Sequence, residues 1–95
     1  SNYNKLPYIT LLLSAMVNHS INTDTAKSYL DLIELTAARY NNQTAKAKQY
    51  IIRMLKEFID QKQIAISYLN NDREKAEAQE QVNYAKQKLE EISKK

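Results

Sequence analysis

Residues 44–69 read TAKAKQYIIRMLKEFIDQKQIAISYL, a run of 26 residues without glycine or proline. Its apolar side chains recur at intervals of three and four residues, which is the period of one face of an α-helix. That face comprises Ala47, Ile51, Leu55, Phe58, Ala65 and Leu69, flanked by Tyr50, Met54 and Ile59. Because a helix with one apolar side must bury that side against other elements, the segment predicts a helical protein.

Glycine is absent from all 95 residues, and Pro7 is the single proline. Phosphate-binding loops, dinucleotide fingerprints, nucleophile elbows and EF-hand loops each need glycine at fixed positions. The composition therefore excludes these four kinds of site. At this length, with 43 % hydrophobic residues, we expect one folded domain over residues 1–95.

Asparagine takes the place of glycine at the predicted turns, because it tolerates left-handed backbone and caps helices. Its clusters at 18–22, 41–42 and 70–71 divide the chain into four helical segments. We predict helices over about 6–17, 24–40, 44–69 and 72–93. The resulting fold class is all-α, an antiparallel four-helix bundle, up-down-up-down with short Asn-rich turns.

The other three segments also carry apolar faces. Helix 1 is apolar nearly all round, so we expect it to be the most enclosed element. In helix 2 the face is Ala26, Leu30, Ile33, Ala37 and Tyr40, widened by Tyr29, Leu32 and Leu35; in helix 4 it is a heptad stripe of Ala78, Val82, Ala85, Leu89 and Ile92. Thr23-Asp24 and the pair Asn71 and Glu74 are the predicted N-terminal caps of helices 2 and 4.

One alternative concerns the boundary between helices 2 and 3. The apolar phase runs through positions 33, 37, 40, 44, 47 and 51 without a break. A single helix of roughly 46 residues would be about 69 Å long and would imply a dimer. We favour a turn at Asn41-Asn42, and with it a monomer.

The sequence contains few residues of the types that catalysis or cofactor binding requires. His19 is the only histidine and lies in a predicted turn, and the chain has no cysteine. A ferritin-like metal site needs Glu-x-x-His pairs on two helices, and a haem site needs an axial histidine within a helix. We therefore expect no enzyme activity, no metal and no cofactor.

A basic patch over residues 35–56 is the main positive signal. It contains Arg39, Lys46, Lys48, Arg53 and Lys56 and no acidic residue, whereas residues 72–95 hold six basic and six acidic groups. Such a patch suits anionic lipid headgroups or an acidic protein surface. Nucleic acid is the least favoured of its possible partners, because no helix-turn-helix spacing or set of stacking aromatic residues accompanies the charges. An ordinary solvated face is the plainer interpretation.

Two further features allow a structural and a functional interpretation. The small apolar residues of helix 4 suit either a thinly packed outer helix or a detachable, partner-facing one. Tyrosines beside the apolar faces suit the edge of a core, whereas Tyr3 and Tyr8 could be exposed anchors for a partner.

The uncharged run from Leu6 to Asn18 is too short to span a membrane, which takes about 20 apolar residues. It lacks a small-x-small cleavage pattern after it, so we interpret it as a buried helix rather than a signal peptide. The chain starts with Ser1-Asn2 instead of methionine, which is consistent with a trimmed natural N-terminus or with residues left by cloning.

The order of these elements resembles a known family. An uncharged first helix leads into NHSINTD at 18–24, then YLDLI at 29–33 and, after a break, IIRML at 51–55. This pattern, over roughly residues 6–69, is similar to the immunity proteins for pediocin-like bacteriocins, in particular the enterocin A immunity type. Many members carry a tail beyond helix 4, which is associated with the choice of bacteriocin; here the sequence given ends at Lys95.

The resemblance implies a non-catalytic four-helix bundle that protects a bacteriocin producer from within the cell. Its partner would be the sugar-permease receptor or its complex with the bacteriocin, reached from the cytoplasmic face of the membrane. The basic patch would hold the protein near anionic lipid or an acidic permease loop. Selectivity would lie in helix 4 and the turn before it, at Asn70, Asn71, Asp72 and Arg73.

Two other hypotheses remain open. One is a general helical interaction module, such as a secreted inhibitor or a dimeric adaptor. The other is a weak nucleic-acid binder that uses the basic patch, with affinity that falls steeply with salt.

Overall fold

The computed structural model describes residues 6–40 and 45–94, which form four α-helices in chain order. They are α1 (Leu6–Asn18), α2 (Thr23–Tyr40), α3 (Ala45–Ser67) and α4 (Asp72–Lys94). The predicted all-α four-helix bundle is confirmed. Pro7 lies in the first turn of α1, where a helix does not need its missing N–H group.

The beginning of α2 differs from the prediction. Asn22, rather than Thr23-Asp24, caps the helix: its side-chain oxygen accepts hydrogen bonds from the main-chain N–H groups of Asp24 (2.9 Å) and Thr25 (3.3 Å). Thr23 instead donates from its N–H group and its hydroxyl to Glu77 on α4. The cap therefore lies one residue earlier than predicted, because a cross-helix partner engages Thr23.

The turn between α3 and α4 begins earlier than predicted and ends where predicted. α3 ends at Ser67 rather than near 69, because the N–H groups of Tyr68 and Leu69 bond back to carbonyls three residues earlier and tighten the last turn. α4 begins as predicted, since the side-chain oxygen of Asn71 accepts a hydrogen bond of 3.0 Å from the N–H group of Glu74.

The central residues of the apolar faces predicted for α2, α3 and α4 meet in one core. Leu32 and Leu35, which are predicted to widen the face of α2, are exposed because no helix covers them. The fully buried large side chains of the core come from all four helices: Met16, Leu30, Ile33, Ile51, Leu55 and Val82. Along the heptad stripe of α4, Ala78, Val82, Ala85 and Ile92 are buried and Leu89 is half-buried. These faces explain why segments of modest helix propensity hold their positions: most helix stability in proteins comes from such packing.

Hydrogen bonds between the helices fix their directions. Thr10 and Met16 of α1 bond to Tyr50 and Lys62 of α3 respectively, so α1 and α3 run in the same direction. In the same way Thr23, Lys27 and Glu34 of α2 bond to Glu77, Glu80 and Lys88 of α4. With α3 and α4 packed together across a four-residue turn, the chain alternates up and down as predicted.

A single helix through α2 and α3 is excluded. The two helices pack against each other, and the longest dimension of the molecule is 44 Å, well below the length that a continuous helix would need. α2 and α3 are therefore two separate helices that pack side by side. The predicted turn residues Asn41-Asn42 themselves lie outside the described residues.

The prediction that α1 is the most enclosed helix is wrong. Only Ile9, Leu13 and Met16 of α1 are buried, whereas Tyr8 and Leu11 are largely exposed. The reason is its position: α1 packs mainly on α3 and makes few contacts with α2. Its second apolar side therefore has no helix of the bundle to cover it.

Candidate functional site

The space between α1 and α2 is an apolar groove of about 530 Å³. We call it the α1–α2 groove. Its lining residues are Tyr8, Ile9, Leu11, Leu12 and Ala15 of α1, Ile21 of the turn, and Tyr29, Leu32, Ile33, Leu35, Thr36 and Arg39 of α2. A volume of this size is typical of ligand sites, which measure about 300–1,000 Å³.

The exposed apolar surface is concentrated in this groove. Six large hydrophobic side chains are exposed in the part of the chain that the structure describes, and four of them line the groove: Tyr8 (67 %), Leu11 (65 %), Leu32 (53 %) and Leu35 (60 %). The other two, Ile64 and Tyr68, lie on and just after α3. Single exposed apolar residues are common on proteins, but contiguous patches mark interaction sites.

The sequence of α2 explains how the groove arises. At 100° per residue, its apolar positions cover about 220° of the circumference, more than one core contact can bury. Leu30 and Ile33 point into the core and are fully buried, whereas Leu32 and Leu35 lie toward the gap. The sequence pattern places Leu32 and Leu35 at the margin of the core face, and the excess width of that face is the available signal for a second apolar surface.

Within the described residues the groove carries one charge. Arg39, in the last turn of α2, is the only charged residue in that described lining. Thr36 contributes no free donor, because its hydroxyl bonds to the carbonyl of Leu32 at 2.9 Å. The groove is thus an apolar surface with a cation at one end, which suits binding rather than acid–base chemistry.

The structure separates the predicted basic patch into parts. Lys46 and Arg53 lie together on α3 around a shallow depression that also includes Tyr50, whose ring centre is 5.6 Å from the Arg53 guanidinium. Lys56 is exposed one turn further along α3. Arg39 lies on another helix in the α1–α2 groove, and Lys48 is rotated about 200° around α3 from Lys46. Of the five predicted residues, Lys46, Arg53 and Lys56 share one side of α3, which also carries the exposed acidic residues Glu57 and Asp60 toward its C-terminal half.

The predicted selectivity residues lie together and are exposed. Asn70, Asn71, Asp72 and Arg73 form the end of the α3–α4 turn and the first turn of α4. Asn71 has a structural task there, since it caps α4. The other three remain accessible to a partner.

Polar bonds fasten α4 to α2. The ammonium of Lys88 lies 2.8 Å from Glu34 and 3.0 Å from Asp31, and the hydroxyl of Tyr84 donates a hydrogen bond of 2.5 Å to Asp31. Burial by itself would lower the pKa of Lys88, but its bonds to Glu34 and Asp31 outweigh this effect and raise the pKa. The bonds from Tyr84 and Lys88 lower the pKa of Asp31. These contacts favour a firmly packed α4 over a detachable one.

A second cavity, of about 270 Å³, lies at the end of the bundle where α1 and α3 end and α4 begins. Lys62, which the sequence pattern does not single out, is 6 % exposed there and donates a hydrogen bond to the main-chain carbonyl of Met16. Burial lowers the pKa of this lysine. His19 lines the same cavity.

Gln81 of α4 is also buried and donates a hydrogen bond of 2.9 Å to the carbonyl of Ile21, which connects the α1–α2 turn to α4.

Across residues 6–40 and 45–94, no group of histidine, cysteine, aspartate and glutamate side chains is arranged to hold a metal ion. Within the same residues, none of the helices combines the length and the apolar character needed to cross a membrane.

Comparison with known proteins yields no relative: no protein family, no curated protein and no solved structure matches this chain. The resemblance to bacteriocin immunity proteins therefore stays a prediction from the sequence pattern, and the α1–α2 groove is the main structural basis for assigning a function.

Proposed function

We propose that this protein is a non-catalytic binding protein that receives an apolar segment of a protein partner in the α1–α2 groove. The observation that carries the proposal is the clustering of exposed apolar side chains: Tyr8, Leu11, Leu32 and Leu35 all line this one groove. Removing such a surface from water is favourable by about 25 cal/mol per Å² of apolar area. In the free protein these side chains stay exposed, so this stabilisation is available only when a partner covers them.

The basic side of α3 supplies a second contact in this proposal. Lys46, Arg53 and Lys56 are exposed on α3 and would face an anionic membrane surface or an acidic loop of the partner. Each basic side chain near an anionic membrane contributes about 1 kcal/mol. The protein would then bind its partner at the membrane surface.

The biological setting that we propose is immunity to a pediocin-like bacteriocin. The partner is then the sugar-permease receptor, alone or with the bacteriocin bound, approached from the cytoplasmic side. The sequence pattern of residues 6–69 supports this setting, and an apolar groove suits the binding of a protein partner. Asn70, Asn71, Asp72 and Arg73 remain the proposed selectivity residues.

A survival assay tests the proposal. The chain is expressed in a strain sensitive to a panel of pediocin-like bacteriocins, and survival is compared with that of cells expressing Leu32→Glu or Ile64→Glu. Leu32 and Ile64 are equally exposed, at 53 %, but only Leu32 lies in the groove. We expect protection by the unchanged chain and by Ile64→Glu, and none by Leu32→Glu. Unchanged killing across the panel by cells expressing the natural chain would contradict the immunity setting.

A further inference from the structure

We infer that the occupant of the α1–α2 groove is an amphipathic helix of a different protein, with a carboxylate placed next to Arg39. This inference rests on the proposed function and specifies the partner's chemistry. Three features of the groove carry it: its length and periodicity, its lack of free main-chain partners, and its single charge.

The dimensions of the groove match a short helix. From Tyr29 to Arg39 it extends over eleven residues of α2, about 15 Å from the first to the last, which is the length of roughly three helical turns. Most of its helical lining residues are spaced three or four positions apart, at 8, 11 or 12, and 15 on α1 and at 29, 32, 36 and 39 on α2, with 9, 33 and 35 between them. Such ridges receive the side chains of a third helix at positions i, i+3, i+4 and i+7.

The polarity of the groove also favours a helix over an extended peptide. An extended peptide carries main-chain N–H and C=O groups that need partners when they are buried. Apart from Ile21, whose carbonyl is bonded to Gln81, the lining is formed by residues of two helices. In the middle turns of these helices the main-chain groups bond within the helix, and the hydroxyl of Thr36 is bonded to the carbonyl of Leu32. A helix satisfies its own main-chain groups and presents only side chains to the groove.

Arg39 fixes the charge of the occupant. It is the one charged residue of the lining, with no acidic residue beside it in the groove. A docked helix would exclude water from the guanidinium, and a charge-assisted hydrogen bond to a carboxylate would compensate for that loss. A partner with a basic residue at this point would bury two like charges.

The same fact argues against a second copy of this chain. In a symmetric dimer both copies use the same surface. Two α1–α2 grooves placed face to face would offer Arg39 no carboxylate, because none of the lining residues is acidic. A different protein can supply the missing acid.

Selection from a display library of helical peptides tests the inference even while the partner is unidentified. The full-length chain is the bait, and binders are kept only if they lose binding to Leu32→Glu and retain it to Ile64→Glu. A second selection uses Arg39→Glu as the bait. Peptides with apolar residues at i, i+3, i+4 and i+7 and with Asp or Glu at one end should be enriched on the natural chain, and Lys or Arg should replace the acid on Arg39→Glu.

For individual peptides, exchanging the acid for lysine should weaken binding to the natural chain at least tenfold. Failure to obtain groove-dependent helical binders would overturn the inference. So would binders with no preference at the charged position, or a solution dimer that dissociates in Leu32→Glu but not in Ile64→Glu. The survival assay is independent of the peptide selection. If cells are protected but the selected peptides show no preference for an acid, the acidic partner residue is refuted and the proposed function stands. If acidic peptides bind but cells are not protected, only the immunity setting is refuted.

Discussion

The ammonium of Lys62, on α3, donates a hydrogen bond to the main-chain carbonyl of Met16 in the last turn of α1. Carbonyls at the end of a helix lack partners within the helix, and a cation there also interacts favourably with the helix dipole. Lys62 is buried and forms no ion pair with a carboxylate among the described residues. The bond therefore joins two helices while it keeps a charge inside the protein.

This arrangement predicts a dependence of stability on pH. Burial lowers the pKa of Lys62 in the folded protein below its ordinary value of 10.5. Between the lowered value and 10.5, the unfolded chain binds more protons than the folded one, so the contribution of Lys62 to stability increases as the pH rises. The slope is at most about 1.4 kcal/mol per pH unit.

Urea unfolding of the natural chain and of Lys62→Met at several pH values between about 7 and 10 measures this effect. Subtracting the two curves removes the titration of all other groups. The free energy of unfolding of the natural chain should increase relative to that of Lys62→Met toward higher pH. A difference that falls with pH would show that the buried site favours the charged form.

Lys88→Met should destabilise the bundle by about 1–3 kcal/mol, because it leaves Asp31 and Glu34 without their shared ammonium. Lys94→Met is the matched control, since its ion pair with Glu90 is exposed on both sides and should contribute much less. The contribution of Lys88 to stability is fully present below pH 10.5, its ordinary pKa, because its pKa in the folded protein is raised. Chemical denaturation near neutral pH measures both variants, and equal losses would contradict the role given to Lys88.

The low pKa of Asp31 gives the opposite pH dependence. A lowered folded-state pKa stabilises the protein above the ordinary value of 3.8, and this stabilisation is lost as the pH falls through the folded-state value. The difference in stability between the natural chain and Asp31→Asn should therefore become smaller as the pH is lowered. Thermal unfolding between about pH 7 and 2 measures that difference, and a constant value would count against the Tyr84 and Lys88 bonds as its cause.

Asn71→Ala should cost about 1 kcal/mol of stability, because the N–H group of Glu74 loses its capping oxygen. The adjacent Asn70→Ala is the control, and we expect it to change stability by less than about 0.5 kcal/mol. Testing both variants for bacteriocin protection separates the two roles proposed for this turn. Loss of protection only in proportion to loss of stability would remove Asn71 from the selectivity residues.

Leu32→Glu should fold as well as Ile64→Glu, since both side chains are already half in water. We expect each to change the free energy of unfolding by less than about 0.5 kcal/mol, the usual range for surface substitutions. Unfolding curves and solution mass check this expectation for the free protein. A loss of several kcal/mol in Leu32→Glu alone would mean that the groove contributes to the fold.

Binding to anionic lipid should depend on the basic side of α3. The double variant Lys46→Gln/Arg53→Gln should weaken binding to phosphatidylserine vesicles by about 2 kcal/mol, roughly thirtyfold, and the residual binding should fall with salt. Lys75→Gln/Lys86→Gln removes the same charge from α4 and is the control. Equal losses in vesicle sedimentation would assign the effect to net charge instead of this surface.

The sequence by itself determined the all-α fold class and excluded several classes of site. The period of Ala47, Ile51, Leu55 and Phe58 required a helix with one buried side, and the absence of glycine ruled out the loops of several site classes. The spacing between Asn71 and Glu74 was enough to identify the cap of α4. These features are local, so neighbouring residues along the chain are enough to reveal them.

Only the tertiary structure decided which apolar residues stay exposed. Leu32 and Ile33 are adjacent and both apolar, and the period of α2 marks Leu32 only as the margin of a wide face. The direction of the neighbouring helices decides that Leu32 is half exposed and Ile33 fully buried. The burial of Lys62 depends likewise on the end of α1, which is 46 residues away in the chain. Both outcomes follow from the fact that α1 packs on α3 and leaves α2 partly uncovered, a relation between distant segments that no local pattern records.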